Sequence, residues 1–285
     1  MILVFGKTGQ VATELQSYKD VIASGRDQVD LSVPTTCTEA IQRYKPRAVI
    51  NAAAYTAVDK AESEEGLANT INGEAPGSMA SACAELNIPL VHLSTDYVFD
   101  GSGTTPWSTI DIPNPKNAYG RSKLKGEQAI KASGCAYAIM RTSWVVSAHG
   151  NNFVKTMRRL SETRDRITVV DDQIGAPTCA RDIAQTCLSI AEQLIQDPSK
   201  SGTYHYSGQP NVSWCQLANA IFEQMDCKTS ANPIPTTEYP TPALRPLNSR
   251  LDCEAIQKTF GITRPFWRDG LEEILRDLEG EHDRA

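Results

Sequence analysis

The sequence predicts an α/β protein built on a doubly wound parallel sheet, with a smaller interleaved C-terminal α/β domain. Short apolar runs such as Ile2–Phe5 and Ala48–Asn51 alternate with helical stretches in the first half. Nearly all-apolar strands of this kind are typical of a parallel sheet that is covered by helices on both faces. The second half is less regular, and no linker rich in Gly and Ser precedes it. The second domain is therefore expected to interleave with the first.

The individual elements follow from local patterns. Apolar runs predict strands at Ile2–Phe5, Val21–Ala23, Ala48–Asn51, Leu90–Leu93, Ala138–Arg141, Ile167–Val170 and Thr203–Tyr206. Helices are predicted after the first glycine-rich turn to about Tyr18, from Thr36 to about Tyr44, and at Pro76–Leu86, Tyr119–Ala132, Asn152–Arg164, Arg181–Leu194 and Trp267–Leu278. Thr36 to Glu39 has a capping-box pattern. The Pro-rich stretch 233–246 excludes a long helix or a central strand, and a charged tail that frays is expected to follow Leu278.

Composition excludes several classes of protein. The formal net charge of the 285 residues is -6, which argues against nucleic-acid binding, since that usually needs a basic stripe. The apolar run at Met1–Phe5 is too short for a signal peptide or a membrane span. Eight cysteines without a CxxC spacing and four histidines without metal spacing predict reduced thiols, a cytoplasmic location and no metal site.

A glycine turn directly follows the first strand and begins a helix. Its residues, Gly6-Lys7-Thr8-Gly9-Gln10-Val11, have a G-x-x-G-x-x-A spacing that ends at Ala12. Glycines allow the backbone to approach a pyrophosphate, which the N-terminus of the helix can bind. The pattern predicts a dinucleotide site in a Rossmann domain, although a tight turn without a ligand would have the same pattern.

The choice of cofactor is expected to depend on the end of the second strand. There, an acidic residue would bind the ribose hydroxyl of NAD, whereas arginine accommodates the 2′-phosphate of NADP. The sequence has Ser24, Gly25 and Arg26, with Asp30 following. We expect NADPH to be preferred, with NADH as a second cofactor; Arg26 as a solvated loop charge is the alternative.

Tyr119 and Lys123 are four residues apart and would lie on one face of a helix. An adjacent ammonium stabilises a phenolate, so the pair could protonate a carbonyl oxygen as hydride arrives at its carbon. Thr95 follows the strand Leu90–Leu93, at the sheet edge where such folds bind ligands. Its hydroxyl could reach the same substrate oxygen.

These features together resemble the extended short-chain dehydrogenase/reductases. Within that superfamily the chain is similar, over nearly its whole length, to the dTDP-4-dehydrorhamnose reductase family. The segments that carry the resemblance are Phe5–Val11, Asn51–Glu62, Ser94–Gly101, Arg141–Val145, Asp172–Thr178 and Arg245–Leu251.

The resemblance implies an enzyme that uses NADPH to reduce the C4 carbonyl of dTDP-4-dehydro-β-L-rhamnose to dTDP-L-rhamnose, the last step of dTDP-rhamnose synthesis. It implies a catalytic set of Thr95, Tyr119 and Lys123. The cofactor set predicted from these patterns and from the resemblance is Gly6, Lys7, Thr8, Gly9, Gln10, Val11, Ser24, Arg26, Asp30, Leu31, Ala53, Ala54, Tyr55, Thr56, Tyr119 and Lys123. The substrate set is Val58, Thr95, Asp96, Tyr97, Trp144, Arg245 and Arg250. The expected domains are 1–147 plus 168–207 for the dinucleotide and 148–167 plus 208–285 for the sugar nucleotide.

Two alternatives remain at this stage. The chain could reduce a different 4-keto sugar nucleotide, or it could be a non-catalytic binding module similar to the β subunit of methionine adenosyltransferase. Tyr97 stands where related dehydratases carry a glutamate, and this favours simple reduction over elimination.

Some relatives are dimers bridged by Mg²⁺ through acidic residues. This chain has Glu14, but Arg181 follows Cys179-Ala180 where an acidic ligand would be expected. We therefore predict no required metal, and a monomer or homodimer that works without nucleic acid or membrane.

Overall fold

The computed structural model describes residues 1–282. Six parallel strands form the central sheet in the order β10-β5-β4-β3-β1-β2. Their bounds are β1 Ile2–Phe5, β2 Val21–Ser24, β3 Ala48–Asn51, β4 Leu90–Thr95, β5 Tyr137–Thr142 and β10 Gly202–His205. The strand order reverses between β1 and β3, which is where doubly wound sheets open a binding crevice. The predicted fold class is confirmed.

Helices cover both faces of this sheet. The helices of the first half are α1 Gln10–Leu15, α2 Thr35–Tyr44, α3 Val58–Ala61, α4 Glu65–Asn69, α5 Ala75–Leu86 and α6 Ala118–Ala132. One face packs against α1 and α8 (Ala180–Gln196), the other against α2 and α5, and both interfaces are formed by fully buried apolar side chains. A π-helical turn at Thr70–Glu74 joins α4 to α5, and a 3₁₀ turn at Asp96–Val98 follows β4.

A second apolar core lies beside the sheet, under α7 Phe153–Ser161, α9 Trp214–Gln224 and α11 Trp267–His282. Strand β7 (Arg166–Val170) pairs in parallel with β12 (Ser230–Ile234), so Pro233 lies in a two-stranded sheet and not in a central strand. The remaining elements are β6 Val145–Val146, β8 Ile174–Gly175, β9 Thr178–Cys179, β11 Val212–Ser213 and α10 Glu254–Phe260, with 3₁₀ turns at Pro198–Lys200 and Thr236–Glu238. Within residues 1–282 no helix combines the length and apolar character needed to cross a bilayer.

The division into two domains stays a prediction, and one detail departs from it. Strand β7 spans the expected boundary between residues 167 and 168, and it pairs with β12 instead of joining the central sheet. Helix α11 continues to His282, beyond the predicted end at Leu278 where a fraying tail was expected to begin, and the rest of the tail lies outside the described residues.

The predicted capping box at Thr36 is wrong. Helix α2 begins one residue earlier, at Thr35, after Pro34, and no side chain caps it. The Thr36 hydroxyl instead donates to the carbonyl of Val33. A side chain that bonds back into the preceding turn is a common alternative to capping for Ser and Thr.

Candidate active site

The candidate residues converge where β1, β3, β4 and β5 end. At Gly6 the chain leaves β1 with a φ of 113°, a backbone conformation that favours glycine. A Cβ there would lie 3.3 Å from the carbonyl carbon of Ala52, so the turn runs close to the end of β3. Gly9 precedes the first helical residue, Gln10. Lys7 and Thr8 are exposed at the tip, and the first N–H groups of α1 have no intrahelical acceptor.

Gln10 connects the glycine turn to the N-terminus of α7, a helix of the second apolar core. Its side-chain carbonyl accepts a hydrogen bond from Asn152 at 3.0 Å, and Asn152 also caps α7. Val11 is buried beneath the turn. The turn is thus held between the sheet and α7 while its tip stays open.

The end of β2 offers groups that suit the adenosine side of a dinucleotide. The Ser24 hydroxyl is buried and has no hydrogen-bond partner among the described residues. The Arg26 side chain is 80% exposed and 3.5 Å from Asp30. Asp30 is occupied by the backbone N–H and the hydroxyl of Ser32, and these bonds hold the pKa of its carboxyl below the usual value. Leu31 is half-buried beside it.

The loop after β3 is held by a residue that sequence reasoning missed. Asn72, in the π-helical turn, accepts from the Tyr55 N–H at 2.8 Å and donates to the Tyr55 carbonyl at 3.0 Å. This pair of bonds fixes the predicted cofactor loop Ala53–Thr56. The Tyr55 hydroxyl donates to Glu64 at 2.7 Å. Asn72 and Tyr55 are 17 positions apart, so no local sequence pattern reveals their contact. Asn72 lies in a π turn, and such turns recur at functional sites.

Helix α6 carries the tyrosine and the lysine. Asn117 caps it by accepting from the Gly120 N–H at 2.8 Å. A Cβ on Gly120 would lie 2.2 Å from the Tyr97 carbonyl oxygen, so only glycine lets the first turn of α6 lie against the 3₁₀ turn. This close approach brings the Tyr119 ring to 5.6 Å from the Tyr97 ring, edge to face.

The electrostatics of Tyr119 differ from the expectation that Lys123 stabilises its phenolate. Burial and the nearby Asp96 raise the pKa of Tyr119 well above its usual value, although the Thr95 hydroxyl lowers it. The Lys123 ammonium group donates to the Leu93 carbonyl at 2.6 Å and lies 3.2 Å from His92 Nε2. Burial lowers the pKa of Lys123 to about 8. The raised pKa of Tyr119 favours the protonated phenol, which is the form that can donate a proton.

Thr95 and Asp96 form a buried polar pair at the end of β4. The Thr95 hydroxyl donates to Asp96 Oδ1 at 3.1 Å and accepts from the Tyr97 N–H. Asp96 Oδ2 is buried without a hydrogen-bond partner. Burial raises the pKa of this carboxyl to about 6, and the neighbouring Ser249 and Thr95 hydroxyls oppose the rise. The pair is pre-positioned for a polar ligand group.

A cavity of about 420 Å³ opens beside Tyr97 and Arg245. Arg245 donates to Asp59 Oδ2 at 2.6 Å. Burial raises the pKa of the Tyr97 phenol to about 12, and Arg245 opposes that rise. The other lining residues are Phe99, Asp100, Gly101, Ser102, Lys116, Asn117, Asp172, Thr236, Thr237, Leu244, Pro246 and Leu247. Among these, the exposed Lys116 is a cation that sequence reasoning did not single out.

Five of the seven predicted substrate residues do not line that cavity: Thr95 and Asp96, described above, and the three that follow. Trp144 has a φ of 48° and stacks on Trp214 with ring centroids 3.7 Å apart. Val58 begins α3 and is half-buried. Arg250 donates to Asn248 Oδ1 at 3.0 Å. Their roles toward the substrate stay predictions.

The acidic residue that binds a metal in some relatives lies against an arginine and a histidine here. Glu14 lies 3.6 Å from Arg181 Nε and 3.4 Å from His149 Nε2. Arg181 also bridges to Glu273 at 2.7 Å and to Asp277 at 3.0 Å. The guanidinium thus occupies the centre of this acidic cluster.

The chain matches one family model over residues 1–279, described as the RmlD substrate binding domain. A dTDP-4-dehydrorhamnose reductase of Burkholderia thailandensis is 42% identical, with 97% of this chain and 98% of the relative covered. One of Sinorhizobium fredii is 40% identical, with 96% of each covered.

Solved structures agree with these sequence relatives. A dTDP-4-dehydrorhamnose reductase of Clostridium acetobutylicum superposes with a TM-score of 0.91 at 36% identity, covering 98% of this chain and 99% of the other. One of Bacillus anthracis, solved in complex with NADP, has a TM-score of 0.90 at 34% identity, covering 97% and 98%.

Proposed function

The chain belongs to this family of sugar-nucleotide reductases, and on that premise we propose that it reduces dTDP-4-dehydro-β-L-rhamnose to dTDP-L-rhamnose with NADPH. The observation that carries the proposal is the position of Tyr119. Its ring is half-buried and packs edge to face against Tyr97, which lines the Arg245 cavity, and burial together with Asp96 favours the protonated form of its phenol. A carbonyl held there would meet a proton donor on the side of the sugar.

The end of β2 fits a phosphorylated dinucleotide. The unpartnered Ser24 hydroxyl and the exposed Arg26 guanidinium supply polar groups there. Ser32 occupies Asp30 Oδ1, and Asp30 Oδ2 lies 3.5 Å from Arg26 Nε. NADPH bound there supplies the hydride. Arginine suits the 2′-phosphate because its planar fork of donors matches phosphate oxygens. NADH lacks that phosphate and would bind as a second cofactor.

The reacting residues divide the work between proton supply and positioning. Tyr119 gives its proton to the sugar C4 oxygen. Thr95 hydrogen-bonds the same oxygen once its hydroxyl turns from Asp96, which can still bind a sugar hydroxyl through Oδ2. Lys123, at the next turn of α6, holds the nicotinamide ribose.

The cavity beside Tyr97 has the chemistry for a sugar nucleotide. Arg245 and Lys116 supply positive charge for a diphosphate, and Phe99, Pro246 and Leu247 give apolar surface for the base. Arg245 is bound to Asp59 in this structure, so it would share its donors with the incoming diphosphate.

The wider setting is also proposed. Seven of the eight free cysteines are buried, which suits a reducing cytoplasm. Arg181 supplies positive charge within the acidic cluster, which supports a monomer or homodimer that needs no Mg²⁺. No nucleic acid or membrane partner is proposed, in keeping with the net charge of -6.

A product assay tests this function. Purified protein is mixed with NADPH and enzymatically generated dTDP-4-dehydrorhamnose, and the product is identified by NMR. Formation of dTDP-L-rhamnose with one NADPH consumed per product supports the proposal. No oxidation of NADPH or NADH would contradict it, and turnover of only another 4-keto sugar nucleotide would move the assignment to that substrate.

A further inference from the structure

A histidine lies fully buried behind the catalytic lysine. His92 is on β4, where it pairs in register with Asn51 on β3, and neither residue is exposed to solvent. Asn51 Nδ2 is 3.0 Å from His92 Nδ1, and His92 Nε2 is 3.2 Å from Lys123 Nζ. The three side chains form one chain of contacts from the sheet to the active site.

The backbone fixes the orientation of the Asn51 amide. The Ala53 N–H donates to Asn51 Oδ1 at 3.1 Å, so the amide NH₂ must face the histidine. If the amide were flipped, its NH₂ would meet the Ala53 N–H, and two donors would oppose each other. An amide nitrogen donates and does not accept. His92 Nδ1 is therefore an acceptor and carries no hydrogen.

This fixes the tautomer of the ring. Burial holds the pKa of His92 well below its usual range, so the imidazole is neutral. A neutral imidazole with an acceptor at Nδ1 carries its hydrogen on Nε2. That N–H points at Lys123 Nζ. An ammonium has no lone pair to accept it, whereas an amine accepts it and still donates to the Leu93 carbonyl.

We propose that His92 is a positioning residue for Lys123: its Nε2–H, fixed by Asn51, disfavours the ammonium and favours the uncharged amine before the cofactor binds. The role in catalysis rests on the proposed function. A lysine that loses its positive charge more readily does less to stabilise the Tyr119 phenolate, and the protonated phenol is the form that carbonyl reduction needs. Acceptors on the bound cofactor can then favour the ammonium.

The other groups around Lys123 do not reverse this arrangement. Glu127, one turn further along α6, attracts a positive charge on Lys123, whereas burial disfavours it. The Glu127 carboxylate is already bound by Arg141, at 2.6 Å and 2.9 Å, and by Ser94. Tyr119, one turn before, is protonated and neutral.

The test reads the charge of Lys123 directly. The protein is labelled with ¹³Cε-lysine, the Lys123 signal is assigned by its loss in Lys123→Met, and its titration is followed by NMR without cofactor. We expect a midpoint at least about one pH unit below that of free lysine. A midpoint at the free-lysine value would overturn the proposal. The readout needs no turnover, so it is independent of any failure of the proposed function.

Asn51→Asp reverses the tautomer with little change in shape. The carboxylate accepts from both Ala53 N–H and a hydrogen on His92 Nδ1, which leaves Nε2 free to accept from a lysine ammonium. The midpoint should rise by about one pH unit or more. The same change in a His92→Leu background keeps the added charge and removes the ring. An equal rise in both backgrounds would show a charge effect only and would overturn the role of His92.

A second variant keeps the test valid if Asn51→Asp does not fold. His92→Gln can turn its side-chain oxygen toward Lys123 and accept from the ammonium, so the midpoint should rise again. An unchanged midpoint in folded His92→Gln, judged by circular dichroism, would also overturn the proposal.

Discussion

Asp96 is a buried carboxyl whose ionisation opposes folding. Its pKa of about 6 in the fold exceeds the ordinary 3.8. Stabilisation by the protonated form is therefore fully present below pH 3.8 and is lost as the pH rises through about 6. At pH 7.5 the ionised carboxylate costs on the order of 1–3 kcal/mol.

Asp96→Asn should consequently raise the melting temperature at pH 7.5 and lower turnover. Differential scanning calorimetry across pH checks this, and the gain should vanish below about pH 4. Asp20→Asn, at an exposed carboxylate, is the control and should change little. A lower melting temperature for Asp96→Asn at pH 7.5 would refute the destabilising role.

Arg26 sets the cofactor preference in this account. Because it is 80% exposed and its contact with Asp30, through Nε, is a long 3.5 Å, its guanidinium is available to a phosphate. Arg26→Ala should lower kcat/KM for NADPH about 10-fold, since one charge-assisted hydrogen bond is lost, and should leave NADH nearly unchanged. Arg276→Ala, at an exposed arginine on α11, is the control. Equal kcat/KM for both cofactors in the unaltered protein would contradict the preference.

The residues that form sequence motifs could be predicted from the sequence, but the residues that hold them in position could not. Tyr119, Lys123 and Thr95 were identified by spacing and by position after a strand. Asn72 and His92 act through contacts with residues 17 and 31 positions away. His92 did leave one signal, because a histidine is unusual in a strand whose neighbours are Leu90, Val91 and Leu93.

At the scale of elements, the approach of α6 to the 3₁₀ turn positions Tyr119. Gly120→Ala would place a methyl group 2.2 Å from the Tyr97 carbonyl oxygen, so α6 must shift. We expect a loss of about 1–3 kcal/mol in the free energy of unfolding and a marked fall in kcat. Gly66→Ala in α4, where a Cβ meets nothing within 4 Å, should be neutral or slightly stabilising. Urea unfolding of both variants checks this, and equal stability would contradict the close approach.

Elements with strong apolar runs were predictable, and those formed by tertiary contacts were not. The predicted bounds of β1 and β3 match the structure. Strand β1 is entirely apolar, and β3 is apolar up to its last residue, Asn51. Helix α9 was missed although Ser213 and Gln216 form a capping box. The helical stretch from Val58 to Glu74 was also missed, since its short α3 and α4 pack against α6 and lack a long amphipathic period.

At the scale of the whole molecule, we propose that Arg181 supplies the positive charge that a bridging metal provides in some relatives. It contacts Glu14, Glu273 and Asp277 at the junction of α1, α8 and α11. Dialysis against EDTA should leave kcat and the sedimentation coefficient unchanged within about 20%, because bound carboxylates are poor metal ligands. Activity that is lost with EDTA and restored by Mg²⁺ would contradict this account.

The most direct test of the account is the kcat of Tyr119→Phe with NADPH and dTDP-4-dehydrorhamnose, measured beside the unaltered protein. The phenylalanine keeps the ring packed against Tyr97 and removes only the proton donor. We expect kcat to fall about 100-fold or more, the scale of a positioned general acid, with the Kd for NADPH unchanged within about 2-fold. Retention of kcat would show that Tyr119 does not supply the proton, and this would contradict the proposed mechanism.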